Sequence, residues 1–382
     1  MMAMKDSTWW WMSTAVSIVL IIVLVNLWMQ MNQYVIEPTQ LVNEQATSEY
    51  LQINWEDRVV ALAGNIEPTM KVKTGIFIQS LKFFNSNEVN LTGYIWQRYQ
   101  DGLHDSIKPG PDEVGFILPE QVDSGFEPRE VYRQRTANDE VIGWYFEATL
   151  RQPFDYSTYP FDHKTVWLRM WHKQFSRNIV LVPDFEAYEA TGLSDIFGIE
   201  DEIVLETWER QNTYFDYRLS SYDTDFGIPN YIGQQGFPEL HYNFVVKRKF
   251  ENAFIVYLLP LFLVATLLFA ALLTVSANDE LSSRMGFNTS GFIAGCSALF
   301  FVVMLAHIQL REQFAGSGIV YIEYFYILMY LLLVLATANT YLFSIQPKRG
   351  CDLILYQDNI VVKVGYWPVV LTSLILISLG VL

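Results

Sequence analysis

Residues 239–262 read ELHYNFVVKRKFENAFIVYLLPLF and contain both halves of the predicted fold. Up to Lys249, apolar residues alternate with polar ones, which is the period of a half-buried β-strand. From residue 252 to residue 278 the chain is uncharged and long enough to cross a bilayer as a helix. The stretch therefore predicts a β domain whose last strand continues directly into a membrane helix, so the two are mechanically connected.

Four further uncharged stretches have the apolar length of a membrane helix. With the first, the predicted spans are 9–29, 252–278, 285–310, 324–347 and 364–382. The span at 9–29 has a long apolar core, tryptophans at both ends and no small-x-small cleavage site directly after it. These features favour a retained anchor over a cleaved signal peptide.

Almost all of the net charge lies between the first two spans. Residues 31–248 contain 33 Asp and Glu against 18 Lys and Arg, a balance of −15 out of −16 for the chain. This acidity argues against nucleic acid as a partner and favours cations or basic ligands. Lys348, Arg349 and Lys363 place the last loop in the cytoplasm, which puts the N-terminus inside and the acidic domain outside.

The acidic region begins with a helical pattern and continues with strand patterns. Residues 43–65, NEQATSEYLQINWEDRVVALAGN, have helical spacing and a Gly-Asn stop. From Lys71 the period is two, in short runs separated by polar turns, which predicts an antiparallel sandwich. The predicted domains are an anchor (1–31), a helical linker (32–70), a β-sandwich (71–249) and four membrane helices (250–382).

The segment DYSTYPFDHKTVWLRM (155–170) identifies a family. Its Tyr-Pro-Phe-Asp turn between two strands resembles the signature loop of the pentameric ligand-gated ion channels, the Cys-loop receptor superfamily. KTGIFIQSL, YIWQRYQD, RNIVLVPDFEAY and LHYNFVVKRKFENAFIVYLLPLF are similar to bacterial members in the same order, over about 71–343. Gln152 and Val166 replace the cysteines of animal receptors, the Trp-x-Pro segment has no clear counterpart, and the anchor helix is an addition.

The resemblance implies an immunoglobulin-like antiparallel β-sandwich outside the membrane, on a four-helix transmembrane bundle. It implies a homopentamer in a bacterial inner membrane, surrounded by lipid and opened by a small ligand or protons. Cation preference is expected from the acidic domain and from Asp279 and Glu280. With Arg284 at the cytoplasmic mouth, the predicted pore-lining residues are Gly286, Ser290, Ile293, Ser297 and Phe300. Alternatively, Gly291 and Gly295 form a helix-packing face and Phe300 contacts a neighbouring helix.

The resemblance also implies a coupling region, in which Asp162 pairs with Arg248. An alternative reading is a salt bridge with a structural role alone. The other expected coupling residues are Pro160, Asn85, Arg311 and Glu312. The candidate ligand-binding aromatics, whose ring faces attract ammonium groups, are Trp144, Tyr145, Tyr222, Phe226 and Tyr231.

Two ionic modulators are considered. Glu200 and Asp201 lie in an acidic stretch with oxygen ligands that suit calcium, although a solvated acidic loop is the simpler interpretation. His163 and His307 are candidate proton sensors. No catalytic or cofactor-binding motif is found, so an enzyme is not expected and no cofactor is predicted.

Two other functions remain open from the sequence. The first is a non-conducting pentameric sensor or scaffold that uses the anchor helix to contact another membrane protein. The second is a membrane-tethered binding domain that remains monomeric.

Overall fold

A computed structural model describes residues 6–61, 68–107, 113–123, 127–229, 231–314, 316–345 and 352–382. The chain divides into two compact units. One unit contains Tyr34–Phe154 and His163–Lys247, and we call it the outer unit after its predicted side of the membrane. The other contains Met1–Gln33, Asp155–Asp162 and Arg248–Leu382, and we call it the membrane unit. The segment 155–162 therefore belongs to the membrane unit, although the strands that flank it belong to the outer unit.

The outer unit contains two β-sheets. The strands are β1 (Met70–Phe83), β2 (Glu88–Gln100), β3 (Phe116–Ile117), β4 (Arg129–Arg135), β5 (Asp139–Arg151), β6 (His163–His172), β7 (Ile179–Pro183), β8 (Trp208–Ser220) and β9 (Phe237–Arg248). One sheet has the order β4-β5-β2-β1-β7 and the other β3-β6-β9-β8. Strand β9 is the strand that the opening stretch predicts.

Pairing differs from the antiparallel prediction between β1 and β7. Neighbouring strands such as β1 and β2, β2 and β5, and β6 and β9 are antiparallel. Strands β1 and β7 are parallel, with Met70 opposite Ile179 and Thr74 opposite Pro183. The antiparallel prediction is therefore wrong for this pair, because the chain passes through β6 of the second sheet before it returns to the first sheet as β7.

Both sheets contribute side chains to one hydrophobic core. Ile76 and Ile95 of the first sheet and Leu168 and Phe244 of the second belong to the same buried cluster. Along β2 buried and partly exposed residues alternate over Glu88–Gln100, as expected for a strand with one face on a core. The two-residue period in the sequence therefore reports the buried face of each strand.

Helices occupy the segment before β1. Helix α2 (Glu44–Leu51) begins at Asn43, whose Oδ1 accepts a hydrogen bond from the Ala46 amide at 2.8 Å, and a π-helical turn (Gln52–Glu56) leads into α3 (Asp57–Ala61). Leu51 and Trp55 are buried in the core that the sheets share. The segment expected to be a linker therefore contributes to the core.

The membrane unit contains the remaining α-helices of the described residues. They are α1 (Asp6–Met31), α4 (Phe250–Ala253), α5 (Leu259–Leu273), α6 (Asp279–Met285), α7 (Thr289–Gln313), α8 (Tyr321–Ile345), α9 (Asp352–Leu355) and α10 (Ile360–Val381), with a π-helical turn between α4 and α5. The stretches long and apolar enough to cross a membrane are Ser7–Met31, Phe250–Leu273, Ser282–Gln313, Tyr321–Ile345 and Ile360–Val381. The five predicted spans are confirmed as helices of this kind, which indicates a membrane protein. Lys348 and Arg349, used to predict its orientation, lie outside the described residues.

Helix α1 packs along α10. Leu24 is buried against Leu371 and Ile375, and the Ser13 hydroxyl donates a hydrogen bond to the Val364 carbonyl at 2.6 Å. Residues near the start of one helix thus contact the start of the other, so the two helices run in the same direction. The added N-terminal helix is part of the membrane unit.

Replacing Trp55 with alanine tests the role of the segment 44–61. The Trp55 side chain is 1% exposed, its Nε1 donates to Asn178 Oδ1 at 3.2 Å, and its ring lies 5.0 Å from that of Phe237. We expect Trp55→Ala to lower the free energy of unfolding by about 3–5 kcal/mol, because it removes buried contacts and leaves a cavity. The midpoint of thermal unfolding should fall accordingly. Ile53→Ala, at a side chain that is 61% exposed, is the control and should change the midpoint little. Equal midpoints for the two variants would contradict a core role.

Candidate functional site

The loop 155–162 is held by a buried ion pair. Arg248 donates from Nε to Asp162 Oδ1 at 2.6 Å and from Nη2 to Oδ2 at 3.0 Å. The side chains are 9% and 1% exposed. The Arg248 amide also donates to the Asp162 carbonyl at 3.3 Å. This is the pair that the resemblance implies, and its two parallel hydrogen bonds fix both the distance and the orientation of the groups.

A tyrosine covers the ion pair. The Arg248 guanidinium lies 4.8 Å from the ring centroid of Tyr159, which is a cation–π distance. The peptide bond between Tyr159 and Pro160 is cis. Burial raises the pKa of Tyr156 to about 12 and raises that of Tyr159 as well. Both phenols therefore remain neutral at physiological pH and add no charge beside the pair.

The same loop packs against the ends of three membrane helices. Phe161 stacks on Phe250 at the start of α4, with ring centroids 5.2 Å apart. Tyr159 lies 4.5 Å from Phe314, the residue that ends α7, and the Tyr321 amide at the start of α8 donates to the Ser157 carbonyl at 2.9 Å. A displacement of the loop therefore changes packing at the end of α7.

Helix α1 also reaches this loop. The Trp28 ring lies 5.8 Å from Phe161 and 6.2 Å from Phe250, and its Nε1 donates to the Tyr321 hydroxyl at 2.8 Å. Tyr321 in turn shares a hydrogen bond with Ser378 of α10 at 2.6 Å. Trp28 was not predicted as a site residue, because its sequence context shows only an aromatic at the end of an apolar span.

The other predicted coupling residues have different surroundings. Arg311 donates to the carbonyls of Ser317 and Gly318 at 3.0 and 2.9 Å and contacts Glu323, which fixes the connection between α7 and α8. Glu312 is exposed next to it. Asn85 is in the outer unit, where its Oδ1 accepts from the amides of Asn87 and Glu88 in the β1–β2 turn. Glu323, 3% exposed, was not predicted.

Helix α7 begins later than the sequence predicts, at Thr289 instead of residue 285. Its cap is Asn288, whose Oδ1 accepts from the Gly291 amide at 2.5 Å. Gly286 lies before the helix with φ of +67°, in the left-handed region that favours glycine. The prediction that all five pore-lining candidates lie on one continuous helix is therefore wrong for Gly286. Asp279 and Glu280 begin the separate helix α6.

Four candidates remain on α7, and all are exposed within this chain. They are Ser290, Ile293, Ser297 and Phe300. The buried residues of α7 follow a different line, Phe292, Cys296, Val303 and Leu310. Phe300 also lies 5.4 Å from Tyr330 of α8, so it contacts a neighbouring helix as the alternative interpretation expects. A Cβ built on Gly295 meets nothing within 4 Å, so no described side chain packs there.

The outer unit gathers some of the candidate ligand-binding aromatics. Tyr222, Phe226 and Tyr231 meet Trp171 and Phe175 in what we call the aromatic cluster, with ring centroids 5.4–6.3 Å apart. The first three were predicted and the last two were not. Trp144 and Tyr145 lie elsewhere on β5, where Trp144 is buried against Phe116 and Tyr145 contacts Tyr94.

A buried carboxylate lies beneath the aromatic cluster. Glu239 is 3% exposed and accepts hydrogen bonds from Trp171 Nε1 at 2.7 Å, Tyr222 at 2.8 Å, Ser220 at 2.5 Å and Arg169 at 3.1 Å. Four donors occupy both of its oxygens. Glu239 therefore orients two of the rings, and the Arg169 guanidinium lies 5.5 Å from the ring centroid of Trp171.

The structure gives no support to the calcium expectation. Among the described residues, no group of three or more His, Cys, Asp or Glu side chains is arranged to hold a metal ion. Asp201 is 98% exposed and lies 3.6 Å from Arg210, and the Glu200 amide bonds to the Ile78 carbonyl. These contacts agree with the simpler interpretation of a solvated acidic loop.

Comparisons with known proteins do not identify a family for this chain. No family model and no curated protein matches the chain. The resemblance to pentameric channels therefore stays a prediction from the quoted motifs. The ion pair, the loop packing and α7 supply the physical basis for a proposal.

Removing one partner of the ion pair tests how much the pair contributes to the free energy of unfolding. We expect Arg248→Ala to cost about 3–5 kcal/mol of stability, because the buried Asp162 carboxylate loses its guanidinium. The double variant Asp162→Asn/Arg248→Gln should recover part of this loss, because no isolated charge remains. Arg210→Ala is the control, since Asp201 is almost fully exposed, and should change stability by less than about 1 kcal/mol. The midpoint of thermal unfolding measures all three, and a loss as small as that of the control would contradict the argument.

Two buried histidines of the outer unit should make the folded state less stable in acid. Burial, aided by nearby positive charges, lowers the pKa of His172 and of His241 from 6.5 to about 3. Between pH 6.5 and about pH 3 the unfolded chain binds more protons at these histidines than the folded chain does. Their contribution to the free energy of unfolding is therefore complete above pH 6.5 and is lost as the pH falls towards 3. We expect a loss of about 1.4 kcal/mol per pH unit for each histidine within this window.

The measurement is the midpoint of thermal unfolding between pH 7 and pH 4. In His172→Gln/His241→Gln the slope against pH should become shallower, whatever the midpoint at pH 7. His307, which lies 3.7 Å from Glu323, and His163, whose ring lies 5.9 Å from that of Tyr34, are left unchanged in this variant. An unchanged slope would assign the acid sensitivity to other groups.

Proposed function

We propose that the chain is a subunit of a homopentameric ligand-gated ion channel that prefers cations. In this proposal the two sheets with their shared core form an immunoglobulin-like β-sandwich outside the membrane. The helices that follow β9 form the four-helix pore domain, with α7 lining the pore. A small ligand or protons act on the sandwich, and the membrane is a bacterial inner membrane.

The observation that carries the proposal is the position of the loop 155–162. The loop leaves β5 and enters β6 in the outer unit, yet its residues pack with the membrane helices. Strands β6 and β9 are paired at His163 and Lys247, and the next residue outward on each is Asp162 or Arg248. A change at the ends of these strands therefore reaches the ion pair through covalent bonds.

From the ion pair the path to α7 is short. Tyr159 covers Arg248 and contacts Phe314, the residue at the end of α7. A ligand that favours one conformation of the outer unit would shift α7 only by its difference in affinity between the two states. The packed rings provide the contact that has to differ between those states.

The exposure of α7 supports assembly around a pore. In the most apolar 18-residue stretch of the span that contains α7, only 17% of the residues are buried inside the chain, against 39% in the corresponding stretch of α8. The exposed residues of α7 include Ser290 and Ser297, separated by Ile293, which gives alternating polar and apolar rings if the face lines a channel. The acidic outer unit and the acids at the start of α6 would raise the local concentration of cations.

One observation favours the second candidate, a non-conducting sensor or scaffold. Only 6% of the residues in the most apolar 18-residue stretch of helix α1 are buried, so most of its surface is free to contact lipid or another membrane protein. Such a protein would share the fold and the loop packing but would not pass ions. Ion flux separates the two candidates.

Imaging tests the assembly. Single-particle images of the purified protein in lipid nanodiscs should have fivefold symmetry, with Ser290, Ile293 and Ser297 facing the central axis. A monomer, or an axis filled by α1, would overturn the channel proposal.

A substitution at Ile293 tests conduction without knowledge of the ligand. We expect Ile293→Ser to raise the resting cation flux into liposomes at least about fivefold, because a polar ring cannot exclude water as an apolar one does. Val302→Ser is the matched control, since Val302 is 50% exposed and lies about 180° from Ile293 around the helix. Equal flux in the two variants, or none in either, would favour the non-conducting candidate.

A further inference from the structure

The membrane unit contains a long apolar cavity that is partly open, and α1 forms one of its walls. Its volume is about 730 Å³, and α1, the π-helical turn with α5, α8 and α10 all line it. This lies within the range of about 300–1,000 Å³ that is usual for ligand-binding pockets. Trp10 and Trp28 of α1 lie along it, as do Phe325 of α8 and Trp367 of α10. Without α1 one whole wall would be missing.

The shape of the cavity limits what can fill it. Trp10 and Trp28 are 18 residues apart on a continuous helix, which corresponds to about 27 Å, close to the thickness of the hydrocarbon layer. Dividing the volume by this length gives a mean cross-section of roughly 27 Å². A narrow, flexible hydrocarbon chain can lie along a groove of this mean width, whereas a further helix, with a diameter of about 10–12 Å, would protrude from it.

The chemistry of the two ends differs. At one end Lys363 lines the cavity, where its Nζ donates to the Asp358 carbonyl at 2.9 Å and lies 3.5 Å from the Asp358 carboxylate. At the other end Trp28 and Phe325 present aromatic rings. A cation at one mouth of an apolar channel is complementary to a phosphate group attached to a hydrocarbon chain.

We propose that this cavity binds one acyl chain of a membrane phospholipid, with the phosphate group at Lys363. The chain end then lies against Trp28, whose ring contacts Phe161 of the loop 155–162 and whose Nε1 bonds to Tyr321. The bound lipid therefore supports the packing that holds the loop. Binding stands independently of conduction, whereas its effect on gating rests on the proposed channel function.

Filling the cavity tests the binding. Ile18 and Ile21 line it, whereas Val19 and Ile22, which have a similar exposure on α1, are not among its lining residues. We compare Ile18→Phe/Ile21→Phe with the control Val19→Phe/Ile22→Phe. The probe is phosphatidylglycerol with brominated acyl chains, in vesicles with phosphatidylcholine, and the readouts are tryptophan quenching and lipid retained per chain in native mass spectrometry.

We expect the native protein and the control to retain one phospholipid per chain and to be quenched equally. The filled variant should retain at least fivefold less lipid and lose part of the quenching. Lys363→Gln should weaken retention of the lipid without closing the cavity. Equal retention in the filled variant and the control, or a polypeptide instead of a lipid at the site, would overturn the proposal.

A flux measurement separates binding from gating. In the Ile293→Ser background, the filled variant should change cation flux at least twofold relative to the control substitutions. If lipid binds but flux is the same in both, the gating step is wrong and the binding site stands. If no variant conducts, the proposed channel function fails, and the retention measurement still decides the site.

Discussion

The ion pair between Asp162 and Arg248 is the interaction on which the rest of the membrane unit depends. Both groups are almost fully withdrawn from water, and each stabilises the charge of the other through two hydrogen bonds. The pair joins the first residue before β6 to the last residue of β9. It therefore fixes the loop 155–162 relative to the chain that enters the membrane.

Aromatic packing extends this fixed point to the helices. Tyr159 lies over the guanidinium and against Phe314, while Phe161 stacks on Phe250 and approaches Trp28. Rings of this size are rigid and bury large areas, so small displacements of the loop change several contacts at once. The N-terminal helix shares in this packing and is more than a membrane anchor.

In the outer unit, the buried Glu239 carboxylate holds two rings of the aromatic cluster in place. The Glu239 carboxylate is saturated by four donors, which leaves it to position Trp171 and Tyr222. The same cluster already contacts a cation of this chain, because the Arg169 guanidinium lies 5.5 Å from the Trp171 ring centroid. Buried polar groups that are fully paired favour one arrangement of their neighbours.

The sequence by itself determined the local elements, because apolar spacing reports which face of a strand or helix is buried. It predicted the membrane spans and most of the strands, but neither the two-residue β3 nor β4, whose residues REVYRQR are all exposed and carry no alternation. Through family resemblance it also gave the Asp162–Arg248 pair. The break at Gly286 has local signals, a glycine in the left-handed region and the cap Asn288, although the helical spacing of 286–300 does not show it. Only the tertiary structure decided the parallel pairing of β1 with β7, the gathering of Trp171 and Phe175 with Tyr222, and the contact of Trp28 with Phe161. Each of these brings together residues far apart in the chain, so no local period encodes them.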